Sequence, residues 1–163
     1  MIIQYLTTFN KRIWEKSGVK MVESWRQFMP AEQTRLTLYY EEMPPAIIGD
    51  GVLSDARVSA EDLCKSPYLA EWEKKWNTTP ARFGKYAGTF WNRRHREWFR
   101  KVAAMREERL SCDADILVFL DSDVIVKKPF PAELIPDLMG SASVLYLRAV
   151  SYTHLTLPTI LRV

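Results

Sequence analysis

Ala114-Asp115-Ile116-Leu117-Val118-Phe119-Leu120-Asp121-Ser122-Asp123 is the stretch on which the reading of this chain turns. From Ala114 to Leu120 it is almost continuously apolar, as expected of a central parallel strand buried on both faces. The two aspartates that close it fall where open α/β sheets bind their ligands, beyond the carboxyl ends of the strands. In extended backbone, residues i and i+2 point the same way, with Cα atoms roughly 6.5 Å apart. Carboxylates so placed repel each other and raise one pKa unless a cation separates them. Mg²⁺ or Mn²⁺ suits that role, because hard ions take carboxylate, water and phosphate oxygens and need few protein carboxylates. Such an ion would neutralise charge developing on a leaving diphosphate. Alone, Asp-x-Asp is a weak sign, since aspartate often ends strands and caps turns.

The segments before it supply context. Residues 2–8, Ile-Ile-Gln-Tyr-Leu-Thr-Thr, read as a first buried strand. Asn10 is placed to cap a following helix, in which Trp14, Met21, Val22, Trp25, Phe28 and Met29 recur at helical steps until Pro30. Gly18 interrupts that pattern. Leu36–Tyr40 reads as a second strand, completing a βαβ unit with parallel pairing. Residues 41–64 are rich in Pro, Gly, Asp and Ser and are expected to form an irregular, exposed connection. A short helix is expected over Pro67–Trp76 and turns over Thr78–Gly88. A long helix is expected from Asn92 to Leu110, with Trp98, Phe99, Val102, Ala103, Arg106 and Leu110 on its apolar face. After the aspartates come a helix from Pro131 to Met139 and a strand over Ser143–Leu147.

Composition narrows the class. With 163 residues, 47% of them hydrophobic, the chain has ample material for one globular core. A net charge of +3 is too mild to argue for a nucleic-acid partner. Arg93-Arg94-His95-Arg96 reads first as a charged helix face. Two cysteines, Cys64 and Cys112, without metal-ligand spacing, point to a reduced, cytoplasmic setting. No signal peptide and no run long enough to span a membrane is visible.

On these residues a resemblance can be stated. Ala114 to Val124, continuing through Lys128-Pro129-Phe130, resembles the DxD segment of GT-A-fold glycosyltransferases. Leu6-Thr7-Thr8-Phe9-Asn10, Glu23-Ser24-Trp25 and Phe99-Arg100-Lys101-Val102-Ala103-Ala104 resemble the first strand and the helices of phage and bacterial members. The resemblance implies an α/β, Rossmann-like nucleotide-sugar-binding domain with a mostly parallel sheet, spanning residues 2–149. It implies Asp123 as principal metal ligand, with Asp121 on the ribose or on the metal through water. Thr7 and Thr8 would lie near base and ribose, and Lys101 would face the diphosphate, unless it is simply a solvated cation. A UDP-sugar donor and an unassigned acceptor follow in the same way. The acceptor pocket and catalytic base of such enzymes usually lie after the DxD strand, so the catalytic residue is unassigned.

The end of the chain reads differently. Val150-Ser151-Tyr152-Thr153-His154-Leu155-Thr156-Leu157-Pro158-Thr159 resembles the translation of a transposon-type sequencing adapter. Residues 150–163 are therefore expected to be non-native and residues 1–149 to be a partial, C-terminally truncated domain, so a Ser151/His154 pairing is set aside. Two other readings remain open. A haloacid-dehalogenase-type phosphatase would use Asp121 as nucleophile and Asp123 as acid/base, although that family places its motif near the N-terminus. A non-catalytic GT-A-like accessory or sugar-binding protein would keep the fold without turnover.

Overall fold

The computed structural model describes residues 1–78, 90–146 and 159–162. Four strands run parallel in the order β3-β2-β1-β4: β1 (Ile3–Asn10), β2 (Thr34–Glu41), β3 (Val58–Asp62) and β4 (Ile116–Phe119). This is the expected α/β, Rossmann-like arrangement, with helices on both faces. β6 (Thr159–Arg162) runs antiparallel to β4, and β5 (Val144–Tyr146) antiparallel to β6. Any extended segment beside the open edge of β4 finds such backbone pairing, so β6 says nothing about the origin of its residues. The other residues of the adapter-like tail, Ser151 and His154 among them, lie outside the described residues, as do residues 79–88 of the expected turn region. Among the described residues, no helix is long and apolar enough to cross a membrane.

Strand alternation divides the core in two. Ile3, Tyr5, Phe9, Leu36, Leu38, Tyr40, Ile116 and Val118 face the helices that follow β1. Leu6, Tyr39, Leu117 and Phe119 face α5 (Phe90–Ser111). The helix after β1 begins as expected: the Asn10 side chain accepts from the Ile13 amide at 3.1 Å. It then has three parts, α1 (Lys11–Ile13), a π turn (Trp14–Gly18) and α2 (Val19–Phe28). The π turn swings Trp14 inward, where it stacks on Phe9 at 4.6 Å and donates Nε1–H to the Ile47 carbonyl at 3.1 Å.

Two expectations are corrected. Residues 41–64 are not wholly irregular. They hold a short helix, α3 (Asp50–Leu53), and the edge strand β3, paired through Leu36↔Val58 to Tyr40↔Asp62. α4 (Pro67–Thr78) follows and packs on α5, Trp72 stacking on Phe99 at 3.9 Å.

The buried face of α5 is also rotated from the expected one. Trp98 and Val102 are exposed, and Leu110 is 68% exposed, whereas Ala103, Ala104 and Glu108 are buried. Polar residues reach the interior because their partners wait there. Arg100 donates to Glu41 (2.7 Å), Glu42 (2.8 Å) and Glu73 (3.4 Å), tying α5 to the end of β2 and to α4. Glu108 accepts from Thr37 Oγ1 at 3.0 Å, and Gln4 Nε2 donates to the same hydroxyl at 3.0 Å. A hydropathy pattern counts both groups as outward.

Burial raises the Glu108 carboxyl above its ordinary range. Hydrogen bonds from Tyr39 and Thr37 oppose that rise, and the nearby Glu61 charge adds to it. An acid with a raised folded pKa binds more protons in the native state than in the unfolded one. Its contribution is therefore fully present below the unfolded pKa and is lost as pH climbs through the folded one. Glu108→Gln, which keeps an acceptor for Thr37, is expected to have a higher urea midpoint than wild type at pH 8. At pH 4 the two midpoints are expected to coincide.

Candidate functional site

The strand order places a topological switch at β1. Its connection leads to β2 on one side, while β4 pairs on the other. In such sheets the crevice at the carboxyl ends of the two diverging strands receives the ligand. Here Asn10 ends β1 and Asp121 lies just past β4, and a cavity of ≈ 750 Å³ opens over them. Thr8, Asn10, Asp121, Ser122 and Asp123 line it at the sheet edge. Arg12, Lys16 and Ser17 of α1 and the π turn form one wall, and Glu97, Trp98 and Lys101 of α5 another. Glu41, at the end of β2, closes the side.

Asp121 is buried and forms an ion pair with Lys101. The Lys101 ammonium lies 5.4 Å from the centroid of the Phe119 ring, so its stem passes over the last residue of β4 to reach the carboxylate. A solvated helix cation would not lie this way. Breaking one side of such a pair leaves a buried charge uncompensated.

The two aspartates are not presented as an extended pair. The Val124 amide donates to the Asp121 carbonyl at 3.0 Å, closing a turn through Ser122 and Asp123. This turn leaves Asp121 inside and Asp123 exposed on the cavity. α2 holds the loop behind it. Ser24 Oγ accepts from the Val126 amide at 3.1 Å while donating to the Met21 carbonyl at 2.8 Å, and the Phe28 carbonyl accepts from the Phe130 amide at 3.3 Å. Ser24 and Trp25, singled out in the sequence, thus anchor and pack and do not face the ligand space.

The other site expectations divide by strand parity. Thr8 lies on the cavity, whereas Thr7 points to the opposite face, fully buried, its hydroxyl without a partner among the described residues. Adjacent strand residues face opposite ways, and Thr7 lies one residue deeper in the sheet on the side of Tyr5 and Phe9, which pack in the core.

Sequence reasoning missed Arg12, Lys16, Glu41 and Trp98. Arg12 and Lys16 are four apart just after an N-cap, a spacing that puts both on one helix face. Glu41 is held by Arg100, and burial raises its carboxyl while that guanidinium pulls it down. Glu42 follows with φ 52, a left-handed conformation that a non-glycine residue takes at an energetic cost and that no pattern announces.

No protein-family model matches this sequence, and no curated protein is similar to it at the level of sequence. Among solved structures the chain is similar to S. aureus TarS, residues 1–349, at TM-score 0.48 and 12% identity, covering 96% of this chain and 38% of that one. It is also similar to mouse xyloside xylosyltransferase 1, apo form, at TM-score 0.48 and 16% identity, covering 85% of this chain and 49% of that one. The chain thus spans less than half the length of either. Likeness this distant says nothing of chemistry, which has to come from the site.

Proposed function

We propose that this chain is the donor-binding part of a metal-dependent glycosyltransferase that takes a nucleotide-sugar, a UDP-sugar in the first instance, and transfers its sugar to an acceptor. The observation that carries this reading is the cavity at the β1/β4 switch point, where Asp121 and Asp123 meet Lys101, Arg12 and Lys16. Carboxylates and cations together on one crevice suit a ligand that is itself anionic and shares a cation with the protein.

The donor set fits a divalent ion of the Mg²⁺ or Mn²⁺ kind. Asp123 has no ion pair among the described residues, and Asp121 stands beside it with Lys101. Among the described residues no group of three or more His, Cys, Asp or Glu gathers to enclose a metal. An ion here would be held by one or two carboxylates and completed by diphosphate oxygens. When bound, the ion would offset charge on the departing diphosphate. Asp123 would hold it, and Asp121 would orient Lys101 while facing ribose or metal-bound water. Lys101, Arg12 and Lys16 would balance the phosphates. A phosphatase acting through Asp121 would need that carboxylate free for attack, whereas here it is buried and ion-paired.

Calorimetric titration of the full chain with UDP, with and without Mn²⁺, tests the assignment against Asp123→Ala. Wild type is expected to bind UDP only with Mn²⁺, and the variant to lose that binding with an unchanged circular dichroism spectrum. Equal binding in both proteins, or none in a folded wild type, would remove the metal site and favour the phosphatase or non-catalytic readings.

A further inference from the structure

Glu41 stands apart from the charged groups assigned to the phosphates. It ends β2, and β1 lies between β2 and β4, so two strand spacings, roughly 10 Å, separate it from the line of β4. A carboxylate repels phosphate, which keeps a diphosphate on the side of Asp123 and Lys101 and leaves an uncharged part of the ligand over β2. One oxygen of Glu41, Oε2, accepts from Arg100 Nη1 at 2.7 Å. The other, Oε1, has no partner among the described residues, and the side chain borders the cavity.

Backbone and charge together hold that carboxylate in place. Neighbours in an extended chain point to opposite faces, so Glu41 and Glu42 would ordinarily diverge. Glu42 instead takes φ 52, and the bend brings both carboxylates to one guanidinium, Glu41 at 2.7 Å and Glu42 at 2.8 Å. Glu73 of α4 adds a third contact at 3.4 Å. Arg100 Nε is buried with no acceptor among the described residues. A left-handed glutamate and an orphaned donor both cost free energy. Costs of this kind persist where the surroundings fix a side chain for use.

We propose that Arg100 is a positioning residue, whose fork holds Glu41 so that Oε1 accepts hydrogen bonds from hydroxyl or N–H groups in the uncharged part of the nucleotide-sugar. The assignment rests on the nucleotide-sugar reading of the cavity. A planar guanidinium serves two carboxylates at once, whereas a lysine ammonium keeps the charge and loses the fork. Nucleoside and transferred sugar both carry such donors, and the choice of titrants separates them.

The full chain, with Mn²⁺ present, is titrated with UDP, with inorganic pyrophosphate and with UDP-glucose, as wild type, Glu41→Gln, Arg100→Lys and the double variant. In Glu41→Gln, binding is expected to weaken about tenfold or more, for UDP if the nucleoside supplies the donors and for UDP-glucose alone if the sugar does. Pyrophosphate has no such donors and should bind at least as tightly as to wild type, because a repelling charge is gone. Arg100→Lys should weaken the same titrant. The double variant should bind no worse than Glu41→Gln, since a residue that acts through Glu41 then has nothing left to hold. Glu41→Gln conserves size, and by itself it decides the proposal where Arg100→Lys does not fold. Unchanged, Mn²⁺-dependent binding of UDP and UDP-glucose in Glu41→Gln overturns the proposal and leaves the nucleotide reading standing. Equal weakening of UDP and pyrophosphate overturns it as well, since a general distortion of the cavity would act on both. Additive losses in the double variant overturn the positioning role and make Arg100 a prop of the fold alone. A folded wild type that binds neither UDP nor pyrophosphate overturns this proposal together with the reading beneath it.

Discussion

Trp25→Ala is expected to lower the free energy of unfolding by about 3–5 kcal/mol, as measured by urea denaturation followed by circular dichroism. Trp25 is fully buried in α2 and stands edge-on to Tyr5, ring centroids 6.0 Å apart at 72°. The Arg57 guanidinium lies 4.9 Å from its ring centroid. Truncation to alanine would leave a cavity bounded by the β1 face and α2 and would leave Arg57 without its aromatic surface. Since domains of this size are stable by only ~5–15 kcal/mol in all, the loss would bring the chain close to its unfolding threshold. Trp25→Phe provides the control. The indole N–H has no acceptor among the described residues, so removing it relieves a buried, unpaired donor while most of the ring volume stays. The phenylalanine variant is therefore expected to lose less than half as much. Because Ser24, beside it, receives the Val126 amide, Trp25→Ala should also loosen the loop behind Asp123. Faster amide exchange at Val126 would show this.

The parts of the fold that could be read directly are those in which one force acts alone. β1 and β4 are short, β-prone apolar runs and β2 alternates over Leu36–Tyr40, and turn or helix signals bound each of them. β3 escaped notice because Val58-Ser59-Ala60-Glu61-Asp62 is an edge strand with only Val58 fully buried. Its pairing is decided by backbone hydrogen bonds to β2, which carry no side-chain signature. The face of α5 was misjudged for a related reason. Arg100 and Glu108 turn inward only because Glu41 and Thr37 are there to meet them, and those partners lie 59 and 71 residues away in the chain. At the site, Asp121 and Asp123 were accessible from the carboxyl-end rule, and Thr8 and Lys101 only as what the family resemblance implies. Glu41, Arg12, Lys16 and Trp98 join them only once β2, the π turn and α5 are set around a common crevice.

Gly18→Ala is expected to destabilise the protein by about 2–3 kcal/mol, the opposite of what helix propensity alone implies. Replacing glycine by alanine inside a helix ordinarily gains up to ~1 kcal/mol. The backbone at Gly18, φ −58 and ψ −45, would accept any L-residue. Space decides the outcome. A Cβ there would come within 2.3 Å of Trp14 Cε3. That indole cannot yield easily, since it is stacked on Phe9 and hydrogen-bonded through Nε1 to the Ile47 carbonyl. Either Trp14 leaves its seat or the π turn opens, and both choices disturb Lys16 and Ser17 on the cavity wall. Thermal denaturation should therefore show a lower Tm. The part of the population that stays folded should also bind UDP with Mn²⁺ more weakly than wild type. Gly51→Ala is the matched comparison. Gly51 also lies within a helix, α3, but a Cβ there meets nothing within 4 Å, so its Tm should hold or rise slightly. A Gly18→Ala variant as stable as Gly51→Ala would mean that Trp14 does not occupy the pocket under the π turn. The wall formed by Arg12 and Lys16 would then have to be redrawn.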